Sequence, residues 1–324
     1  MGVLLPTKVP QGRLARLGLA TVLGLAFAVS ALGAESSRQL SPSSRGTPLI
    51  FSEIMYHPRE PGGTEVLEYI EIFNTEPVWE SLGGYQICGA VNFTFPSNAT
   101  LAGRSFVVVA RDPAALRQAA GITNVIGPYS ESLPNDGGTV RLCNRAGAVL
   151  LEVEYKDQMP WPVAADGAGH SLQLARPDHG EGSVEAWAAS SEVGGSPGRP
   201  DPEIQDPLGG VVINEFLAHT DPPQMDYIEL FNRGPQTVDL SGCGLSDRAE
   251  TNKFILPANT LLAPGARCVF FESDLGFALS SQGEAIFLVR ADGSRVIDAV
   301  RFGAQANGVS SGRWPDGAPG IREL

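Results

Sequence analysis

Four glutamates recur at matching places in the two halves of this 324-residue chain, and they are its strongest candidates for chemistry. Glu53 and Glu71 lie in the first half, and Glu215 and Glu229 lie in the second. If the segments that carry them pair as strands, each half places two carboxylates side by side. Such a pair could bind Ca²⁺ or share one proton. The alternative is that all four are exposed or hydrogen-bonded strand residues that protect sheet edges and keep the sheet soluble.

Other patterns of catalytic residues are missing from the sequence. It contains no Gly-x-Ser-x-Gly, no phosphate loop, no His-Glu-x-x-His and no dinucleotide fingerprint. The histidines are scattered, at His57, His170, His179 and His219. Ser171 is next to His170, but neighbouring residues of a strand point to opposite faces of the sheet. We therefore predict no catalytic residue, no cofactor and no enzymatic activity.

Tryptophans supply a candidate for binding a partner. Trp79 follows Pro-Val in a turn region, so we expect its side chain to be exposed. An exposed tryptophan could stack on a sugar ring or anchor a protein. Trp161 and Trp187 are expected instead to plug the ends of a β-sandwich.

The cysteines fall two and two along the chain. Cys88 and Cys143 lie in the first half, and Cys243 and Cys268 lie in the second. In an exported chain each pair could form a disulfide within its own half. The alternative is buried free thiols, because each cysteine also fits an apolar strand position. No Cys-x-x-Cys with matching histidines is present, so a zinc site is not expected.

A repeated hexapeptide indicates that the chain is duplicated. Tyr-Ile-Glu-Ile-Phe-Asn at 69–74 returns as Tyr-Ile-Glu-Leu-Phe-Asn at 227–232, with five of the six residues identical. The alternation of side chains predicts a half-buried strand in each copy, with Glu71 on one face and Ile70 and Ile72 on the other.

Composition and the positions of turn-forming residues indicate the fold class. The 38 glycines and 25 prolines favour many short strands joined by turns. Helical character is confined to 113–120, where Asp112 is a candidate N-cap, and to one turn within 273–279. The sequence therefore predicts an all-β protein with one β-sandwich in each half.

The N-terminus reads as a secretory signal over residues 1–34, followed by a disordered leader over 35–47. Basic residues precede an uncharged apolar run at 17–32, and small residues follow it. That run is shorter than the roughly 20 residues that a membrane-spanning helix requires, and no later stretch is long and apolar enough. We therefore expect an exported mature chain without a transmembrane segment.

The charge balance argues against some partners. The formal net charge is −13, and lysine occurs three times in the whole chain. Binding to nucleic acid depends on clustered Lys and Arg. We therefore expect neither nucleic acid nor an anionic membrane surface as a partner.

The sequence resembles bacterial members of the lamin tail domain family, whose fold is an immunoglobulin-like β-sandwich. The motifs that carry the resemblance in the first half include Ser52-Glu-Ile-Met-Tyr-His-Pro, Tyr69-Ile-Glu-Ile-Phe-Asn, Pro160-Trp-Pro-Val-Ala-Ala-Asp-Gly and Gly195-Ser-Pro-Gly. Those in the second half include Asn214-Glu, Tyr227-Ile-Glu-Leu-Phe-Asn and Gly312-Arg-Trp-Pro-Asp-Gly. The resemblance implies two tandem domains, at 48–200 and 208–324, joined by a semi-rigid Pro-rich linker at 201–207.

The second copy looks incomplete, because it has no counterpart of the closing Gly-Ser-Pro-Gly. We expect the chain to be the N-terminal part of a longer gene product. The resemblance implies an exported, non-catalytic module that binds, adheres or spaces at the cell envelope or outside the cell. Its partner would be an unknown envelope, matrix or polysaccharide component. The alternatives are an accessory module of a larger enzyme, with a kinase-like or hydrolase domain beyond residue 324, and a calcium-stiffened adhesin.

Overall fold

The computed structural model describes residues 46–59, 66–203, 205–248 and 251–324. The predicted signal and nearly all of the predicted leader lie outside the described residues. The described residues form two β-sandwiches, one after the other along the chain.

The first sandwich contains these elements in chain order: β1 (Leu49–Met55), β2 (Tyr69–Asn74), β3 (Glu80–Ser81), β4 (Gln86–Gly89), β5 (Phe93–Thr94), β6 (Thr100–Leu101), β7 (Phe106–Ala110), α1 (Pro113–Ala120), β8 (Val125–Ile126), β9 (Gly137–Cys143), β10 (Val149–Lys156), β11 (Leu172–Leu174) and β12 (Trp187–Ala189). The larger sheet has the order β12-β11-β1-β2-β7-β8, and the smaller has the order β10-β9-β4-β5. Strands β3 and β6 form a separate pair.

The core of this sandwich lies between the two sheets. Ile70 and Ile72 of β2 face Val140, Leu142 and Leu151 of the smaller sheet across it, and all five are buried. Burial of this alternating apolar face is the main favourable contribution to folding.

The second sandwich repeats this plan with β13 (Val211–Leu217), β14 (Tyr227–Asn232), β15 (Val238–Asp239), β16 (Gly244–Ser246), β17 (Phe254–Ile255), β18 (Leu261–Leu262), β19 (Arg267–Phe271), α2 (Glu272–Leu275), β20 (Ala285–Val289), β21 (Val296–Arg301), β22 (Ser311–Arg313) and β23 (Ile321–Glu323). Its larger sheet has the order β19-β14-β13-β22-β23, and its smaller sheet has the order β17-β16-β20-β21. Strands β15 and β18 pair separately.

The strand register confirms the duplication. Glu53 of β1 is paired with Glu71 of β2, and Glu215 of β13 is paired with Glu229 of β14. A break in register comes just before the first glutamate of each pair. The two halves thus share strand order, register and bulge.

The predicted helices are confirmed. In α1 the Asp112 carboxylate accepts hydrogen bonds from the backbone N–H groups of Ala114 and Ala115 at 2.9 and 3.0 Å, as an N-cap does. Helix α2 is a single turn. No helix in the described part of the chain is long and apolar enough to cross a membrane.

The prediction of half-buried strands holds for the second copy and is wrong for the first. In β14, buried positions alternate with partly exposed ones. In β2, five of the six residues are buried. The outer face of β2 is covered because residues 195–198, which we call the closing segment, and the α1–β8 region both pack on that side of the sheet.

The two sandwiches contact each other through an apolar cluster. Val163, Ala164 and Ala168 of the first sandwich pack with Phe287 and Val289 of β20. All five side chains are buried, so the outer face of the second domain's smaller sheet is removed from water there.

Polar contacts surround this cluster. The Nε2 atom of His170 accepts a hydrogen bond from the backbone N–H of Val296 at 2.9 Å, and its Nδ1 lies 2.7 Å from the carbonyl of Ser190. Arg301 donates to the carboxylates of Asp157 and Asp166 at 3.2 and 2.5 Å. Charged and neutral hydrogen bonds therefore join the two domains beside the apolar cluster.

The linker is tied down at both ends. The side chain of Asp201 accepts hydrogen bonds from the backbone N–H and hydroxyl of Ser191. At the other end, Asp206 caps the short turn Pro207–Gly210 by accepting from the N–H of Leu208 at 3.0 Å. A semi-rigid connection stays a prediction.

Acid is expected to weaken this interface through His170. Burial is the main reason that the pKa of His170 is lowered from 6.5 to about 4, and the charge of Arg295 lowers it further. Between these two pH values the unfolded chain binds a proton that the folded chain does not. The free energy of unfolding should therefore decrease by about 3 kcal/mol as the pH falls through this window.

Urea unfolding at several pH values, compared with His170→Gln, measures this effect. The variant removes the titrating group, so its stability should depend less on pH between 4 and 6.5. Equal pH dependence in the two proteins would show that His170 does not couple the interface to pH.

Candidate functional site

A row of side chains runs across the outer face of the first domain's larger sheet. Gln173 of β11, Glu53 of β1, Glu71 of β2 and Val108 of β7 are register partners in that order. Because successive residues of a strand alternate between faces, these four share one face. Glu53 is fully buried and Glu71 is 1% exposed, so two carboxylates lie side by side inside the protein.

Glu53 is surrounded by hydrogen-bond donors. Its Oε1 accepts from the hydroxyl of Tyr69 at 2.5 Å, from the backbone N–H of Ser196 at 2.9 Å and from the hydroxyl of Ser171. The Ser196 hydroxyl lies 3.4 Å from Oε2 and accepts a hydrogen bond from Gln173 at 2.7 Å. This network offsets the cost of burying a carboxylate in the sheet.

Glu71 has fewer partners. Its Oε1 accepts from the Ser52 hydroxyl at 2.7 Å, and its Oε2 accepts from the backbone N–H of Gly198 at 2.5 Å. Burial and then the adjacent charge of Glu53 raise the pKa of Glu71. Burial also raises the pKa of Glu53, although its hydrogen bonds oppose the shift. The pair therefore favours holding one proton between its two carboxyl groups.

The closing segment approaches these carboxylates so closely that a glycine is required. A Cβ atom on Gly195 would overlap both the Oε1 of Glu53 and the hydroxyl of Tyr69, and the φ of Gly195 is +73°. The Gly-Ser-Pro-Gly motif thus supplies backbone donors to both glutamates through Ser196 and Gly198.

The second domain has the corresponding row without the closing segment. Gly312, Glu215, Glu229 and Val269 are register partners on β22, β13, β14 and β19. Glu215 accepts a hydrogen bond from the hydroxyl of Tyr227, as Glu53 does from Tyr69. Glu215 and Glu229 are both partly exposed.

Glu229 is neutralised by side chains rather than by backbone donors. Asn214 donates to its Oε1 at 2.8 Å, and the Nε of Arg267 lies 3.5 Å from the same oxygen. Arg267 also forms an ion pair with Asp316. Phe106 occupies the place of Arg267 in the first domain, because each is the register partner of the phenylalanine at the fifth position of the hexapeptide.

The structure thus brings together each predicted pair of glutamates, and of the two interpretations it matches the hydrogen-bonded one for Glu53. No group of three or more His, Cys, Asp or Glu side chains that could hold a metal ion occurs among the residues that the structure describes. A calcium site at Glu53, Glu71, Glu215 or Glu229 stays a prediction. The partners that sequence reasoning missed are Ser196 and the other donors of the closing segment, which sequence analysis recognised only as a family motif.

The four cysteines are free thiols in this structure. The sulfurs of Cys88 and Cys143 lie 2.9 Å apart on the neighbouring strands β4 and β9. Cys243 is buried in the core of the second sandwich, and Cys268 packs against that core. The predicted pairing within the first domain is therefore possible without moving the strands.

The tryptophans differ in exposure, and the position of Trp161 and Trp187 at the ends of the sandwich stays a prediction. Trp79 is 70% exposed, whereas Trp161 and Trp187 are buried in the first core, with ring centroids 6.4 Å apart. A role for Trp79 in binding a partner stays a prediction.

The histidines separate into different roles. His57 lies 2.6 Å from a carboxylate oxygen of Asp166, which also binds Arg301. Hydrogen bonds from these two side chains, against the effect of burial, lower the pKa of Asp166. His170 and Asp166 therefore belong to the domain interface, which sequence analysis did not identify because its residues are far apart in the chain.

Replacing Gly195 by alanine should detach the closing segment. The added Cβ overlaps Glu53 and Tyr69, so the variant should lose about 2 kcal/mol of unfolding free energy beyond the cost of the backbone conformation. Gly194→Ala is the matched control, because its φ is also positive, at +96°, but no atom lies within 4 Å of its added Cβ. Denaturant unfolding measures both variants, and equal losses would contradict the close approach.

Mild oxidation should link Cys88 to Cys143 before it affects the other cysteines. Their sulfurs are already in contact, whereas burial and the hydrogen bond shared with Cys88 raise the pKa of Cys143 to about 11 and slow the reaction at neutral pH. Peptide mapping after thiol blocking identifies the linked pair. Recovery of both as free thiols after prolonged oxidation would rule the bridge out.

Comparison with known proteins agrees with this architecture. A sequence model of the Lamin Tail Domain family matches the chain twice, over residues 42–157 and 205–304. No curated protein matches the chain. The two matched stretches make up more than half of the chain, and each corresponds to one of the sandwiches. The chain therefore belongs to the lamin tail domain family and carries two tandem copies of this immunoglobulin-like fold.

Proposed function

We propose that this chain is an exported, non-catalytic module that presents two lamin tail domains in one fixed orientation. It would act as a binding, adhesion or spacer element at the cell envelope or outside the cell. The observation that carries this proposal is the interface between the domains. Domains in one chain move relative to each other unless their interface is extensive and apolar.

Three kinds of contact support a fixed orientation. Phe287 and Val289 bury apolar surface against the first domain. His170 accepts a hydrogen bond from the backbone of the second domain. Arg301 reaches from β21 to Asp157 and Asp166, which follow β10. Breaking such partly buried charged contacts without replacing them is costly.

The chemistry of the glutamate rows supports a binding role rather than a catalytic one. The oxygens of Glu53 are engaged by donors of the same domain, and Gly195 leaves no space for a substrate between it and Glu53. The net charge of −13 supports a partner other than nucleic acid. The apolar run in residues 1–34 supports export.

Disrupting the apolar contact should separate the domains while leaving each one folded. Phe287→Asp buries a charge within the interface, and it should cost about 3 kcal/mol there. Small-angle X-ray scattering should then show a larger radius of gyration and maximum dimension. Phe271→Asp is the matched control, because Phe271 is in the same domain but is 40% exposed on the other side of the sandwich.

The scattering of the unchanged protein decides the proposal. A single orientation of the domains should reproduce its scattering curve. A curve that requires several orientations, or an identical curve for Phe287→Asp and the control, would contradict a fixed spacer.

A further inference from the structure

A groove lies on the outer face of the first domain, between its larger sheet and the chain that enters the linker. Its volume is about 390 Å³, which is within the range of roughly 300–1,000 Å³ that ligand clefts occupy. Phe106 of β7 and Ala188 of β12 supply apolar surface on the sheet side, and residues 199–203 line the other side. We call this cleft the linker groove.

Carboxyl groups dominate the polar lining of the linker groove. Glu71, Asp201 and Glu203 all line it. Among the described residues, Arg199 is the one cation of the lining, and its guanidinium lies 3.6 Å from Glu192, which is outside the lining. The charge of the groove therefore favours a cationic ligand.

Gln173 of β11 offers an acceptor that the described chain does not use. Its side chain lines the groove and is 9% exposed. The Nε2 atom donates to the hydroxyl of Ser196 at 2.7 Å, and no donor from the described residues lies on the Oε1 atom. An amide oxygen with so little access to water gains free energy from a ligand that donates a hydrogen bond to it.

The second domain places a cation at the corresponding carboxylate. Glu229 is the counterpart of Glu71, and the Nε of Arg267 lies 3.5 Å from its Oε1. The guanidinium of Arg267 also lies over the ring of Phe231, 5.1 Å from the ring centroid. A guanidinium thus fits between this glutamate and this phenylalanine on the strand framework that both domains share.

A neutral ring takes the same position in the first domain. Phe106 is at the register position of Arg267, and Phe73 is at that of Phe231. The centroids of the Phe73 and Phe106 rings are 4.5 Å apart. Within the described chain, Glu71 therefore has the aromatic neighbours of its counterpart but not the cation.

We propose that the linker groove binds a guanidinium group on an apolar stem, the chemistry of an arginine side chain, with Glu71 as its ion-pair partner. A planar guanidinium suits both a carboxylate and the face of Phe106, and its further N–H groups match the acceptor that Gln173 offers. This inference rests on the proposed binding role but does not require a fixed orientation of the domains.

Titration with propylguanidinium tests the proposal directly. Added to the isotope-labelled protein, it should give saturable NMR shifts at the side-chain amide of Gln173 and at Ala188. Glu71→Gln should weaken binding about tenfold, because it removes the charge and keeps the shape. Glu154→Gln is the matched control, because Glu154 is exposed outside the groove, and it should leave the affinity unchanged.

A neutral probe tests the charge requirement without changing the protein. Propylurea has nearly the same shape as propylguanidinium but carries no charge, so it should give no saturable shift in the groove. Equal binding of the two compounds, or no saturable shift with propylguanidinium, would overturn the inference.

Two substitutions of Phe106 test where the guanidinium lies. Phe106→Arg supplies from within the chain the cation that the second domain has, so it should weaken the binding of propylguanidinium by about tenfold or more. Phe106→Leu keeps the position apolar and should retain the affinity within about fivefold, the contribution of a cation–π contact. Equal affinities of the two variants would contradict the proposed position.

A second probe identifies the source of the group. Tighter binding of Nα-acetylarginine N-methylamide than of propylguanidinium would support an arginine of a partner protein, and equal binding would support a small guanidinium compound. Failure of every guanidinium probe to bind, together with a scattering curve that one orientation reproduces, would overturn this inference while leaving the fixed spacer intact.

Discussion

The burial of Glu53 is the constraint on which the first domain depends. A carboxylate at the centre of a sheet is costly unless donors reach it. Strand β2 supplies Tyr69, the residue before β11 is Ser171, and the chain must then return to supply Ser196. That return lays the closing segment over the sheet, covers Glu71 through Gly198 and requires a glycine at 195.

The second domain has the same strand pairing, but its glutamates are stabilised by different groups. Arg267 stands where the first domain has Phe106, and it pairs with Glu229 and Asp316. The backbone N–H of Gly198 stabilises the carboxylate of Glu71 in the first domain, whereas the guanidinium of Arg267 stabilises that of Glu229 in the second. As a result, the outer face of the second domain stays partly exposed, while the cores of the two sandwiches remain alike.

The interface between the domains connects these two halves of the structure. The segment that leads from β10 to β11 carries Val163, Ala164 and His170, and it packs on β20 and β21. The linker is anchored further along the chain through Asp201 and Asp206. Strands β11 and β12 separate the interface segment from the closing segment and the linker.

The sequence by itself determined the duplication and the strand class, and it placed the glutamates at matching positions, but it left their pairing conditional. A period of two specifies strand faces, and repeated motifs specify equivalent strands. It also indicated that Trp79 is exposed and that Asp112 caps α1. Only the tertiary structure decided that β2 is buried on both faces, that Ser196 reaches Glu53 and that His170 contacts Val296. Those contacts join residues separated by more than 100 positions, and no local pattern encodes which distant segment will cover a given face.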